Sequence, residues 1–392
     1  MLNQSIKSGY AFVRNPIICR EDYPWGPSYA PVGGKYYVNL GGNRIYEGRF
    51  YPPLDVDLSE ILDAYSSFFA EPIESDQPVS MIESSDALES RDCNVIFEFV
   101  EDGRETTMEF TAIPGGISSQ NFKRMLSTDQ DIFSARFFNS SCNFFLTTRT
   151  AGWRLCLKET ELYPLYFIAP EEVEINVVEL VSKSTLNLGS FSKGVYALDI
   201  NAIRKRFVES NDVLPNIFDI YMSGNYSCRI VVESASSAKE RYRLKFRNSL
   251  GVLEIIEIVG SLTISPDYPD AEDGNYDRFD YNSGYFSADR SRIERRESIS
   301  IDTGFKRSDE IRHLMDMIAS EEVYLLDFTS LPLKVIPSVE DFSYSPRPDS
   351  PESISLKLDI ADSEINIMQE IIDGSEGRKP RVFSKQFSKQ FN

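Results

Sequence analysis

The chain has 392 residues, enough for two or three domains with their own cores. A hydrophobic fraction of 41% excludes a disordered chain, and 26 Phe and 20 Tyr against 2 Trp suit pleated sheets. A formal net charge of -20 excludes a general nucleic-acid binder, which needs a basic surface, and suits a subunit whose partners bring positive charge.

Residues 1–34 are rich in Pro, Gly and Tyr (Asn15-Pro16, Tyr23-Pro24, Trp25-Gly26-Pro27), which predicts an extended N-terminal arm with turns. Such an arm either wraps a neighbouring subunit or is an edge strand with its loop. A small hairpin and helix module is expected over 35–115. Tyr36, Tyr37 and Val38 lead into a Gly41-Gly42-Asn43 turn, and Ile45 and Tyr46 return. No Gly-Lys-Ser/Thr follows, so the glycines are a turn rather than a phosphate loop. Asp57 is placed to cap a short helix whose Leu58, Ile61, Leu62 and Tyr65 share a face. Residues 71–92 are acidic and rich in Ser and Pro, which predicts a loop. A second hairpin runs from Val95 through Asp102-Gly103 to Phe110. Its Glu98 and Glu109 could serve as a carboxylate pair on a glycoside, but outward strand faces carry Glu routinely.

The expected fold class is mainly β (α+β), in several β-sandwich-like modules with a few short helices, and a β-sandwich-like domain is expected over 116–265. Its early aromatics, Phe133, Phe137, Phe145 and Tyr166 among them, read as sheet core, while Trp153 and Tyr163 are the candidates for stacking on a sugar ring. Asn201 to Val208, with Ile203 and Phe207 at i, i+4, reads as a helical turn. Strands alternate over 173–177, 226–232 and 242–246, and after an Asn248–Gly251 turn the run from Leu253 to Val259 is nearly continuous and apolar, as in a strand covered on both faces. Residues 266–290 form an acidic, Tyr-rich loop that lacks EF-hand spacing. A loop of 25 residues favours contact with another chain, through Tyr268, Tyr276 and Tyr281.

Residues 291–375 read as a strand–helix–strand module. Ile299 and Ile301 alternate with serines, Gly304 breaks the strand, and Ser308 opens a helix whose Ile311, Leu314, Met315 and Ile318 form one stripe. His313 is on the polar side of that stripe, where solvation is expected. Val323 to Leu326 restarts a strand, and Leu356 and Leu358 lie in an amphipathic one. The basic tail 376–392 carries Arg378, Lys379, Arg381, Lys385 and Lys389, either as a disordered end or as a segment that adds a strand to a neighbour.

Little in the sequence points to chemistry. The five cysteines are scattered without a Cys-x-x-Cys, which predicts reduced, buried thiols. There is one histidine, and no phosphate loop, dinucleotide fingerprint or zinc spacing, so neither enzyme activity nor a metal or cofactor is expected. No run approaches the ~18 apolar residues of a membrane span, and the first fifteen residues hold no apolar core of signal-peptide length. Neither membrane insertion nor export by the ordinary route is expected.

The strands KFRNSLGVLEIIEIVG (245–260) and the run DTGFKRSDEIRHLMDMIASEEVYLLD (302–327) carry a resemblance, joined by the Leu-Lys-Leu strand at 356–358 and DVDLSEIL at 55–62. Together they resemble tail proteins encoded by bacteriophages and prophages of gut Bacteroidetes. The likeness covers the C-terminal half and residues 35–65. It implies a structural subunit of the virion tail or baseplate, assembled in the host cytoplasm into a ring or sleeve with copies of itself and other tail proteins. It transfers no catalytic residue. The alternative is a carbohydrate- or receptor-binding module that meets a host surface glycan, and the third reading is a glycan-cleaving enzyme.

Overall fold

The computed structural model describes residues 6–21, 33–51, 54–68, 82–84, 91–100, 103–128, 130–138, 145–149, 154–162, 164–212, 214–267, 275–290, 296–328, 332–339 and 353–361. The protein is mainly β, with 24 strands and four α-helices among the described residues. It divides into two units, one of residues 1–235, 246–256 and 308–320, the other of 236–245, 257–307 and 321–392.

In the first unit, β1 (Tyr10–Phe12), β3 (Gly34–Leu40), β4 (Asn43–Phe50), β7 (Arg91–Phe99) and β8 (Glu105–Ile113) form a sheet in the order β1-β8-β7-β3-β4. The β3–β4 hairpin turns on Gly41 and Gly42, both at positive φ, as the glycine pair predicts. Of the two readings of the N-terminal stretch, the edge strand with its loop is the one that residues 6–21 take, with β1 at the edge of this sheet. β1 lies parallel to β8, and β2 (Ile18–Glu21) pairs with β5 (Leu54–Asp57). The reason is apolar burial: Tyr10, Phe12, Val13 and Ile17 are all buried, and the Phe12 ring stacks on Phe133 at 4.7 Å. Asp57 caps α1 (Ser59–Phe68) as expected, with Oδ1 accepting from the amides of both Ser59 and Ile17 at 3.0 Å. The predicted loop 71–92 contains β6 (Ile82–Ser84) and the start of β7.

A second sheet of this unit has β9 (Arg154–Lys158), β11 (Val173–Glu179), β12 (Thr185–Phe191), β14 (Ile217–Met222) and β15 (Asn225–Glu233), in the order β12-β11-β14-β15-β9. A third joins β10 (Leu165–Ala169), β13 (Gly194–Leu198) and β6. Helix α2 (Ser119–Ser127) and a single π turn over Phe133–Phe137 lie between β8 and β9. The helical turn expected at Asn201–Val208 is the longer α3 (Ile200–Asn211). Asp199 accounts for the difference, because its Oδ1 accepts from the amides of Asn201 at 2.8 Å and Ala202 at 3.0 Å. Phe145, Phe167, Ile175, Ile203, Phe207 and Phe218 meet in one buried cluster, so the aromatic stretch is core here.

The strands of the second unit are most of β16 (Tyr242–Arg247), then β18 (Leu262–Asp267), β21 (Arg296–Asp302), β22 (Val323–Leu326), β23 (Leu333–Ser338) and β24 (Ser355–Ile360), in the order β16-β22-β23-β24-β21-β18; β17 (Leu253–Ile258) is mostly in the first unit. The division between units falls within β16 and β17. Gly304 breaks the chain after β21 as predicted; it sits at φ +68, and a Cβ there would strike the carbonyl of Val259. Thr303 holds the start of β24 through both backbone groups of Ile354, at 2.8 and 2.9 Å. Helix α4 (Ser308–Ile318) belongs to the first unit although its flanking strands belong to the second. The segment 266–290, expected as a loop, contains an antiparallel hairpin of β19 (Asn275–Asp280) and β20 (Tyr285–Arg290). Its turn ends at Gly284 with φ +72, the glycine that lets so short a connection close.

Candidate functional site

Among the described residues, the β19–β20 hairpin is a two-stranded sheet by itself. An isolated two-stranded hairpin is marginal in water, so its side chains gain from a surface to pack on. Phe279 is 38% exposed, Tyr285 76% and Tyr281 90%, and the Phe279 and Tyr281 rings meet edge-on at 5.1 Å. Three large apolar surfaces at one tip make a contact patch. Of the tyrosines predicted to contact a partner, Tyr281 lies at this tip; Tyr276 lies within β19, its side chain outside the described residues, as is the whole of Tyr268. The glycan candidates Trp153 and Tyr163 and the tail residues Arg378, Lys379, Arg381, Lys385 and Lys389 also lie outside the described residues. Phe279 and Tyr285 were missed in the sequence; Asn282-Ser283-Gly284 between two Tyr-bearing runs was the signal that would have found them.

The first unit holds a second feature, a buried polar network beneath an open cleft. The run Leu253–Ile258, expected to be covered on both faces, is buried throughout, and it includes Glu254. A buried carboxylate requires hydrogen-bond partners. Glu254 Oε2 accepts from Asn248 Nδ2 at 2.7 Å, and Oε1 accepts from the Thr147 hydroxyl. Arg149, also buried, donates to Glu161 Oε2 at 2.7 Å and to the Ile255 carbonyl. Burial works against the Arg149 charge, but Glu161 and Glu254 outweigh it and hold its pKa above the usual value. Burial pushes the Glu254 carboxyl up, against the pull of Arg149, Thr147 and Asn248.

His313 is 1% exposed in α4, so the expected solvated histidine is a core residue. Phe246 packs on its ring at 5.0 Å, and Thr148 Oγ1 lies 2.9 Å from Nδ1. Glu254 Oε2 is 3.7 Å from that same nitrogen. A hydroxyl–histidine–carboxylate relay needs a different ring nitrogen for each partner, so this trio is packing and polarity rather than a nucleophile with its base. Glu98 and Glu109 are not paired either: Glu98 lies across from Glu105 and accepts from Tyr37, while Glu109 lies across from Asn94. Burial pushes the thiols of Cys19, Cys93 and Cys228 up to about 12, which suppresses the nucleophilic thiolate.

The cleft above the network has a volume of about 520 Å³ and is lined by Arg14, Arg136, Ile117, Ser118, Asn121, Thr147, Thr148, Ser249, Leu250 and Gly116. Its base is backbone packed on backbone. Gly251 sits at φ +88, where a Cβ would collide with the Pro114 carbonyl, and Gly116 donates to the Ser249 carbonyl at 2.7 Å. The Arg14 amide donates to the Gly115 carbonyl at 3.0 Å, and Asn15 bonds both backbone groups of Ile117 at 2.9 Å. Asp316 accepts from the Ser249 amide at 3.0 Å; burial pushes its carboxyl up, against hydrogen bonds from Ser249 and Thr148. Nothing in the sequence brings Arg14, Arg136 and Ser249 together, because they meet only through this tertiary packing. Among the described residues no helix is long and apolar enough to cross a membrane, and no three His, Cys, Asp or Glu side chains are grouped to hold a metal. No family model matches the chain, and no curated protein does.

Proposed function

We propose that the chain is a structural subunit of a bacteriophage tail or baseplate that works by assembling with copies of itself and with other virion proteins. The observation that supports the assembly part most is the two-stranded β19–β20 hairpin with Tyr281 90% exposed at its tip. Aromatic side chains are the usual anchors of protein interfaces, because they bury large area at low entropic cost. Helix α2 adds to it: Phe122, Met125 and Leu126 fall on one side, yet the helix has no buried residue, and Leu126 is 52% exposed. Heterologous contacts that close into a ring suit such unlike patches. The tail assignment rests on the resemblance of residues 245–260 and 302–327.

Immunogold labelling of purified phage particles with antibody raised against the chain tests the virion location. Label at the tail or baseplate is expected; particles without label, and antigen only in the soluble lysate, would overturn it. The same exposed tyrosines favour a second reading, stacking on a receptor glycan. Saturable binding on a glycan array, lost in Tyr281→Ser, would move the assignment to that reading.

A further inference from the structure

We propose that the cleft lined by Arg14 and Arg136 binds a small phosphate- or carboxylate-bearing ligand of about the size of a sugar phosphate. Its volume of about 520 Å³ lies in the range of small-molecule sites. Two arginines and no carboxylate line it, on a protein whose net charge is -20. A planar guanidinium matches the geometry of phosphate and carboxylate oxygens. Ile117 and Leu250 supply apolar wall for the body of the ligand.

Both arginines are held rather than loose. The Arg136 guanidinium lies over the ring of fully buried Phe137, 5.0 Å from its centroid. The Arg14 backbone is fixed by Gly115, and its Nε donates to Asp63 Oδ1 at 3.2 Å. Half-exposed pairs such as Arg14–Asp63 are weak, so an anion in the cleft can compete for the guanidinium. The other nearby carboxyl, Asp316, is outside the lining and accepts from the Ser249 amide at 3.0 Å; burial pushes its pKa up, against hydrogen bonds from Ser249 and Thr148. This inference does not rest on the hairpin contact, since the cleft lies in the first unit and the hairpin in the second.

Titration calorimetry on the full chain, at an ionic strength held constant with sodium chloride, tests it. Inorganic phosphate, glucose 1-phosphate, glucuronate and neutral glucose are compared. Saturable binding of at least one of the three anions is expected, with none for glucose. Preference among the three tells a free phosphate from a sugar-borne phosphate or carboxylate. Arg136→Gln should weaken the binding by about tenfold or more, as loss of a hydrogen bond to a charged group does. Arg14→Gln should act in the same direction, and because it gives up only a surface pair it keeps the test decisive if Arg136→Gln fails to fold. Lys123→Gln, on α2 but not in the cleft lining, should leave binding unchanged. No saturable binding of any anion, or equal binding by both arginine variants, would overturn the proposal.

Discussion

Arg149 shows how a single residue holds the interior of the first unit. It is buried with Glu161 against it at 2.7 Å and Glu254 close by, so its removal leaves two buried carboxylates without their cation. Arg149→Ala should cost about 3–5 kcal/mol, the range for breaking a buried pair from one side, and a urea melt reads it. A loss below about 1 kcal/mol would show the pair to be solvated. Asp316 gives a pH prediction. Its folded pKa is raised, so the native state binds the proton more tightly than the unfolded one. The stabilisation this brings is full below the unfolded pKa of about 3.9 and is lost as pH rises through the folded value. Asp316→Asn can still accept from the Ser249 amide, and it should flatten the slope of urea midpoint against pH above 4. An unchanged slope would contradict the burial argument. Part of this network is legible in the sequence, since a strand covered on both faces that contains Glu254 demands polar partners. The identity of those partners is not, because Arg149 lies 105 positions away.

At the scale of elements, what the sequence reveals is what neighbouring residues decide. The Gly41-Gly42 turn, the Asp57 cap, the break at Gly304 and the strand Val323–Leu326 all form where residues a few positions apart dictate them. The choice between a wrapping arm and an edge strand is made by distant residues, because Tyr10 and Phe12 find a core contributed by Phe133 and Phe137. The expected solvation of His313 fails for a like reason, since Phe246 and Thr148 cover the helix side that the stripe alone leaves open. The 275–290 hairpin was within reach and was obscured by its acidic composition, which reads as solvated loop. Close approach of two turns is the other long-range device. Gly251→Ala forces a Cβ into the Pro114 carbonyl at positive φ, so it should destabilise the fold by more than about 1 kcal/mol. A thermal melt unchanged by this substitution would show that the two turns separate freely.

At the scale of the whole chain, most of the described strand pairings are antiparallel, with β1 on β8 and β9 on β15 parallel. Mainly β architecture was legible from aromatic content and period-2 alternation, whereas the parallel pairings, which join strands distant in sequence, were not. A net charge of -20 keeps copies apart unless a specific contact overcomes it, so assembly through the hairpin should strengthen as salt screens the repulsion. Light scattering mass of the full chain against concentration, for the wild type and for Tyr281→Ser/Tyr285→Ser, is the most direct test of the proposed assembly. The account predicts a multiple of the 44.7 kDa chain mass for the wild type and a shift toward a folded monomer for the double variant. A wild type that stays monomeric at every concentration and salt, or an oligomer that the double variant leaves intact, would contradict it.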